Sequence, residues 1–144
     1  MKTSLLFSAV LLLLGYCNEK EKCEDILLTV EHFECENSKH TLIVDLSNEY
    51  TIIRSNEQYD NLVSGPCHPE INFSNFDLVI GKQSSGNWND TINYDLRRTC
   101  PENELTLTIE IIQMAITIPD NVVYHAMIPK LGDEETLVVN INSH

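Results

Sequence analysis

The stretch Leu105-Thr-Leu-Thr-Ile-Glu-Ile111 is the longest run of alternating apolar and polar residues in the chain. Successive side chains of a β-strand point to opposite faces of the sheet, so this run predicts a strand with one face in a core and one in solvent. The alternation slips at Ile112, which indicates a β-bulge or a sheet edge at that point.

Similar segments lie on both sides of this run, and turn-forming residues separate them. They occupy residues 25–30, 41–46, 50–54, 76–80, 91–96, 122–128 and 136–141. Eight short strands with a single helix between them predict a mostly β fold, either a small antiparallel sandwich or a partly open barrel.

The predicted helix follows the third of these strands. Ser55 and Gln58 have the spacing of a capping box, in which the serine accepts a backbone N–H and the glutamine reaches back. Tyr59, Leu62 and Val63 then share one helical face, and the Gly-Pro pair at residues 65–66 ends the helix.

The N-terminal segment predicts export. Lys2 precedes a nearly unbroken apolar run over residues 5–14, and a charged segment follows at residues 18–22. Ten residues span about 15 Å as a helix, roughly half of a bilayer core, so a secretory signal peptide is favoured over a transmembrane helix.

The end of this apolar run, Leu13-Leu-Gly-Tyr-Cys17, resembles a bacterial lipobox, whose cysteine is acylated and becomes the first mature residue. The resemblance implies a signal peptide at 1–16, a palmitate-type lipid on Cys17 and a tether at 17–24. The length of the remaining chain and its strand pattern predict a single β-rich domain at 25–144. Simple secretion is the alternative, but Gly15-Tyr16 lacks the small-residue pattern of ordinary signal peptidase sites.

The charge of the chain restricts its partners. The formal net charge is −13, and a chain this acidic would be repelled by phosphate backbones and by anionic lipid surfaces. We therefore expect no nucleic-acid partner, and membrane contact only through the lipid anchor.

The cysteines predict disulfides. With Cys17 assigned to the lipid, Cys23, Cys35, Cys67 and Cys100 remain, an even number in an oxidising compartment. Three pairings are possible, and we favour Cys23–Cys35 with Cys67–Cys100 because each pair encloses a local segment. A metal site at Cys67, His68 and Cys100 is the competing hypothesis, but metal-ligand spacings such as Cys-x-x-Cys are absent, so we expect no metal and no cofactor.

The catalytic motifs are weak. Ser84 and Ser85 lie in a glycine-containing loop but lack the Gly-x-Ser-x-Gly pattern of a nucleophile elbow. His125 lies within a predicted strand, where a hydrogen-bonded sheet histidine is the more common role. We therefore do not expect an enzyme.

A possible binding loop surrounds the single tryptophan. Trp88 is flanked by Asn87 and Asn89 in a turn-rich segment, and a tryptophan among amides can stack on a sugar or contact a protein. The alternative is that Trp88 folds back over the end of the sheet beside Tyr94.

Three segments carry a resemblance to a known group of proteins. They are Ile53-Arg-Ser-Asn-Glu-Gln-Tyr59, Ile71-Asn-Phe-Ser-Asn-Phe-Asp-Leu-Val-Ile80, and Val123-Tyr124 followed by Met127-Ile-Pro-Lys-Leu131. In this order they resemble small bacterial lipoproteins distantly similar to the PrcB-like protease-stabilising lipoproteins. The resemblance implies an antiparallel sheet assembly and an envelope location, with lipid anchoring at the outer membrane.

The sequence therefore predicts a lipid-anchored cell-envelope protein that binds or stabilises another envelope protein. The alternative is a secreted hydrolase or a protease inhibitor.

Overall fold

The computed structural model describes residues 26–31, 35, 42–46, 50–87, 89–100, 104–117 and 120–144. The elements are β1 (Ile26–Leu28), β2 (Ile43–Val44), β3 (Tyr50–Ile53), α1 (Asn56–Leu62), β4 (Val63–Ser64), β5 (Phe76–Ser85), β6 (Asn89–Thr99), β7 (Glu104–Gln113), β8 (Asp120–Pro129) and β9 (Leu137–Ser143). The mostly β prediction is confirmed. The predicted signal peptide, Cys17 and the tether lie outside the described residues. Within those residues, no helix is long and apolar enough to cross a membrane.

The described strands form three sheets. Their strand orders are β1-β6-β7-β9, β3-β5-β8 and β2-β4. All pairings are antiparallel except that of β7 with β9, which is parallel. The exception arises because β8, between them in sequence, runs back in the other large sheet, so β9 re-enters the first sheet in the direction of β7.

The two large sheets pack face to face, as the sandwich prediction requires. The inward side chains of the alternating run on β7, Leu105, Leu107, Ile109 and Ile111, are buried against a set from β5 and β8. That second set is Val79, Val122, Tyr124, Ala126 and Ile128.

The sheet β3-β5-β8 is a middle layer with both faces covered. Its other face carries Leu78, Ile80 and Val123, which pack with residues of α1, β2 and β4 in a second cluster. A strand buried on both faces has no polar face, and this explains the continuous apolar run Leu78-Val-Ile80 in β5.

The predicted irregularity at Ile112 is confirmed and lies on the partner strand. Asn89 is paired with Gln113 and Thr91 with Ile112, so β6 contains one extra residue between two consecutive residues of β7. This is the arrangement of a β-bulge.

The predicted helix is confirmed, with one difference in its cap. Ser55 Oγ accepts a hydrogen bond from Gln58 N at 3.3 Å, as expected, but Gln58 Oε1 accepts from Arg54 N at 2.8 Å rather than from Ser55 N. Tyr59 is buried on the predicted inner face. Val63 belongs to the short strand β4 rather than to the helix, and β4 accounts for the ninth strand.

The favoured disulfide pairing is wrong. Cys35 is bonded to Cys67, and Cys100 is also disulfide-bonded. The free-energy cost of closing a loop grows only slowly with its length, so the proximity of cysteines in sequence is a weak guide to pairing. Packing decided the pairing instead, since Cys35 and Cys67 both belong to the cluster over the middle sheet.

Candidate functional site

A surface pocket of about 480 Å³ lies between α1 and the loop that follows β4. Its lining residues come from these two segments and are Asn56, Tyr59, Asp60, His68, Pro69, Glu70 and Ile71.

The local chain path explains why these side chains meet. Neighbouring residues on a helix point about 100° apart, so Tyr59 is directed inward while Asp60 is exposed beside it. After β4, Gly65 adopts a φ of 119°, a conformation that glycine tolerates far better than other residues. The chain then returns to the helix, and the Cys35–Cys67 disulfide holds the loop directly before His68.

The centre of the pocket is a contact among three side chains. His68 Nε2 donates a hydrogen bond to Asp60 Oδ1 at 3.0 Å. The His68 ring also stacks on Tyr59, with ring centroids 4.3 Å apart and an interplanar angle of 27°. The histidine is therefore held on two sides, by a carboxylate and by an aromatic face.

The side chains that line the pocket are mainly acidic and aromatic. Burial, and secondarily the charge of Asp60, raises the pKa of Tyr59 to about 12, so the phenol is neutral at physiological pH. Asp60 and Glu70 are exposed carboxylates at the rim. The described lining residues include neither serine nor cysteine nor lysine. The pocket can therefore pair with a cationic group.

The two serines considered as nucleophiles have other partners. Ser84 Oγ donates to Asn121 Oδ1 at 3.0 Å. Ser85 is buried, and its Oγ donates to Asn87 O at 2.5 Å and accepts from Asn87 N at 3.2 Å, which closes a turn.

The predicted histidine is also remote from these serines. Ser84 is paired with Asn121, whereas His125 is paired with Ile80, four positions further along the same ladder. Four positions correspond to ~13 Å along a strand, beyond the reach of a serine–histidine hydrogen bond.

The proposed binding loop is described only in part. Trp88 and the side chain of Asn89 lie outside the described residues. Asn87 Nδ2 donates to Gln113 Oε1 at 3.3 Å, which ties the loop to the end of β7. The role of Trp88 in ligand binding stays a prediction.

The metal hypothesis at Cys67, His68 and Cys100 is wrong. Both cysteines are disulfide-bonded, so neither supplies the thiolate that a zinc site needs. Across the part of the chain that the structure describes, no group of three histidine, cysteine or acidic side chains could hold a metal ion.

The sequence indicates His68 only as a possible metal ligand beside Cys67, and no sequence pattern connects it with Asp60. The signal that could have found the site is the turn after the helix. A glycine and a proline at residues 65–66 reverse the chain, which brings the next residues back beside the second half of α1.

Comparisons with known proteins add no family to this description. Neither a protein-family model, nor a curated protein, nor a solved structure matches the chain. The resemblance to small bacterial lipoproteins accordingly stays a prediction from the sequence.

Proposed function

We propose that the chain is a lipid-anchored protein of the bacterial cell envelope, held at the outer membrane, that binds and stabilises another protein. The pocket between α1 and the following loop receives a basic side chain of that partner. The observation that carries this proposal is the His68–Asp60 hydrogen bond of 3.0 Å in a pocket whose rim is acidic.

The proposed location is supported by two features of the chain. The apolar run that ends at Cys17 has the form of an export signal followed by an acylation site. The Cys35–Cys67 disulfide is the covalent chemistry of an oxidising compartment such as the periplasm.

The geometry of the pocket favours binding over catalysis. Asp60 and Glu70 are exposed carboxylates that both line the pocket, and carboxylates suit the ammonium of a lysine or the guanidinium of an arginine. His68 contacts Asp60 and Tyr59, and its loop is anchored by the disulfide. Contacts that exist before binding reduce the conformational entropy that is lost when a partner binds. The net charge of −13 favours the approach of a basic surface.

The alternative of a secreted hydrolase receives less support from the geometry. Ser85 closes a turn, and the strand register separates Ser84 from His125. A protease inhibitor would still be a protein-binding protein, and the experiment below covers it because it identifies the partner.

Photo-crosslinking in cells tests the pocket. A photoreactive amino acid at Asn56, on the exposed rim of the pocket, should give a discrete adduct with one envelope protein. The same group at Asn93, exposed on β6 and remote from the pocket, is the control. We expect the adduct from position 56 to be lost when Asp60→Asn and Glu70→Gln are combined.

A matched charge control uses the exposed acidic turn between β8 and β9. Asp133→Asn with Glu134→Gln removes the same charge and should leave the adduct unchanged. Equal adducts from positions 56 and 93, or an adduct unaffected by the loss of Asp60 and Glu70, would remove the pocket from the proposal.

The anchor is tested separately. Cells grown with labelled palmitate should label the native chain and not the Cys17→Ser variant. Equal labelling of both forms would contradict the anchor without affecting the pocket.

A further inference from the structure

The outer edge of β9 presents backbone groups that pair with no other strand of the described residues. In a β-strand the N–H and C=O of one residue point to the same side, and successive residues alternate. Leu105 N donates to Thr136 O at 3.0 Å, and His144 N donates to Ile111 O at 3.1 Å, so the even-numbered residues of this segment face β7. The odd-numbered residues of β9 therefore point their backbone groups outward, where no described strand pairs with them. These residues are Leu137, Val139, Ile141 and Ser143.

The usual protections of an exposed strand edge are missing from β9. Natural edge strands are protected by charges, prolines, bulges or short length. The sequence of β9 is Leu-Val-Val-Asn-Ile-Asn-Ser, seven residues without a charge, a proline or a glycine. This edge lies on a chain of net charge −13, so its neutrality is unusual for the surface around it.

The side chains of β9 are also incompletely covered. Leu137, Val139 and Ile141 pack at the margin of the core between the two large sheets and are only partly buried. Another strand beside β9 would extend the sheet and cover them.

We propose that this edge is a homodimer interface, in which β9 of two copies pair antiparallel about a two-fold axis at Asn140. In this register Leu137 faces Ser143 of the second copy and Val139 faces Ile141 of the second copy. Each of these is a hydrogen-bonded pair, since the backbone N–H and C=O groups of all four residues point outward from the sheet edge. The four outward N–H groups and four outward C=O groups of each copy are then all satisfied.

An isologous interface must be self-complementary, and two properties of the strand favour a second copy as the occupant. Val139 and Ile141 form apolar cross-strand pairs on the inner face. Asn140 meets its own counterpart on the outer face, and an amide carries both a donor and an acceptor.

Charge selects the antiparallel arrangement over the parallel one. The acidic turn with Asp133, Glu134 and Glu135 directly precedes β9. Antiparallel pairing about Asn140 places the two acidic turns at opposite ends of the interface. Parallel pairing in register would set them side by side, where like charges repel.

A disulfide test reads this register directly. Opposite residues of a non-hydrogen-bonded antiparallel pair have Cα atoms about 4.5 Å apart, within the range of a disulfide. The full-length Asn140→Cys variant, purified without reductant, should form a species of twice the monomer mass that reductant reverses. The native chain controls for its own cysteines.

Val138→Cys is the matched control. It lies on the same face, but its counterpart in the second copy is ~13 Å away along the paired strands. Alone it should crosslink at least tenfold less than Asn140→Cys, whereas a mixture of Val138→Cys and Asn142→Cys chains should crosslink, because these positions face each other.

A charge variant tests the same interface without a crosslink. The native chain should have twice the monomer mass in native mass spectrometry, and Asn140→Lys should be monomeric because two lysines would meet at the axis. Asn93→Lys, two strands inward on the same sheet, should stay dimeric.

The proposal is overturned if the native chain is monomeric, if Asn140→Cys and Val138→Cys crosslink equally, or if position 140 crosslinks only to a different protein. None of these outcomes affects the pocket, whose partner is identified from position 56.

Discussion

The carboxylate of Asp77, which is completely buried, accepts a hydrogen bond from Lys130 Nζ at 2.7 Å. Its second oxygen accepts from Leu131 N at 3.1 Å and lies 3.7 Å from Arg54 Nε. Asp77 is near the start of β5, Arg54 follows β3, and Lys130 follows β8. One buried carboxylate therefore connects the ends of all three strands of the middle sheet.

We predict that substitutions of Lys130 and Asp77 lower the stability of the chain by unequal amounts. Lys130→Met leaves a charged Asp77 in the interior, with the more distant Arg54 as its remaining cationic partner. This substitution should lower the free energy of unfolding by about 3 kcal/mol. Asp77→Asn removes the charge and keeps an oxygen for Leu131 N, so it should cost about 1 kcal/mol. Urea unfolding of both variants gives the order, and a larger loss for Asp77→Asn would contradict this reasoning.

Gly81 is predicted to tolerate no side chain. It is paired with Tyr124 across β5 and β8, and a Cβ at this position would overlap the Tyr124 ring. Gly81→Ala should cost about 1–3 kcal/mol through overpacking. Gly86 is the control, since a Cβ there meets nothing within 4 Å, and Gly86→Ala should be neutral or slightly stabilising. Equal melting temperatures for the two variants would contradict the close approach at Gly81.

Loss of the Cys35–Cys67 bond is predicted to destabilise the chain through its unfolded state. The two cysteines are 32 residues apart, and a loop of that length corresponds to ~4 kcal/mol in the chain-entropy model. The Cys35→Ser, Cys67→Ser double variant isolates this bond without reducing that of Cys100. Denaturant midpoints give the difference. If the double variant unfolds at the native midpoint, this bond contributes nothing to stability.

Stability is predicted to fall at alkaline pH because of two buried phenols. Burial raises the pKa of Tyr59 to about 12, with a smaller contribution from the charge of Asp60. Burial also raises the pKa of Tyr124 to about 12, with a smaller contribution from Tyr50. An unfolded tyrosine titrates near pH 10. The unfolded chain therefore loses these protons first as the pH rises from 10 to 12, and the free energy of unfolding decreases by up to about 3 kcal/mol per tyrosine. Below pH 10 both states keep the proton and this contribution is constant.

Phenylalanine variants test the assignment. Neither phenol oxygen has a hydrogen-bond partner among the described residues, so Tyr59→Phe and Tyr124→Phe should cost little at pH 7. Each should flatten the decline in unfolding free energy between pH 10 and 12. An unchanged slope in the double variant would show that other groups cause the alkaline transition.

The pattern of apolar residues was sufficient to predict the elements with strong local signals. The period-two alternation from Leu105 to Ile111 predicted β7 and its buried face, and the Ser55–Gln58 spacing predicted α1. These signals are local because side-chain direction in a strand and capping in a helix depend on neighbouring residues alone.

The candidate site was not predictable in the same way. Asp60 and His68 are eight residues apart and carry no motif; they meet because a turn and a disulfide fold the loop onto the helix. The buried role of Asp77 was equally hidden, since an acidic residue beside an apolar run is also compatible with an exposed strand end.

The sequence by itself determined the class of the fold, because alternating and continuous apolar runs indicate which faces of each strand are buried away from water. Only the tertiary structure decided that β9 runs parallel to β7, that Cys35 pairs with Cys67 and that Tyr59, Asp60 and His68 form one pocket. These features depend on how separate segments pack in space, and burial of the same apolar area can be reached by more than one arrangement.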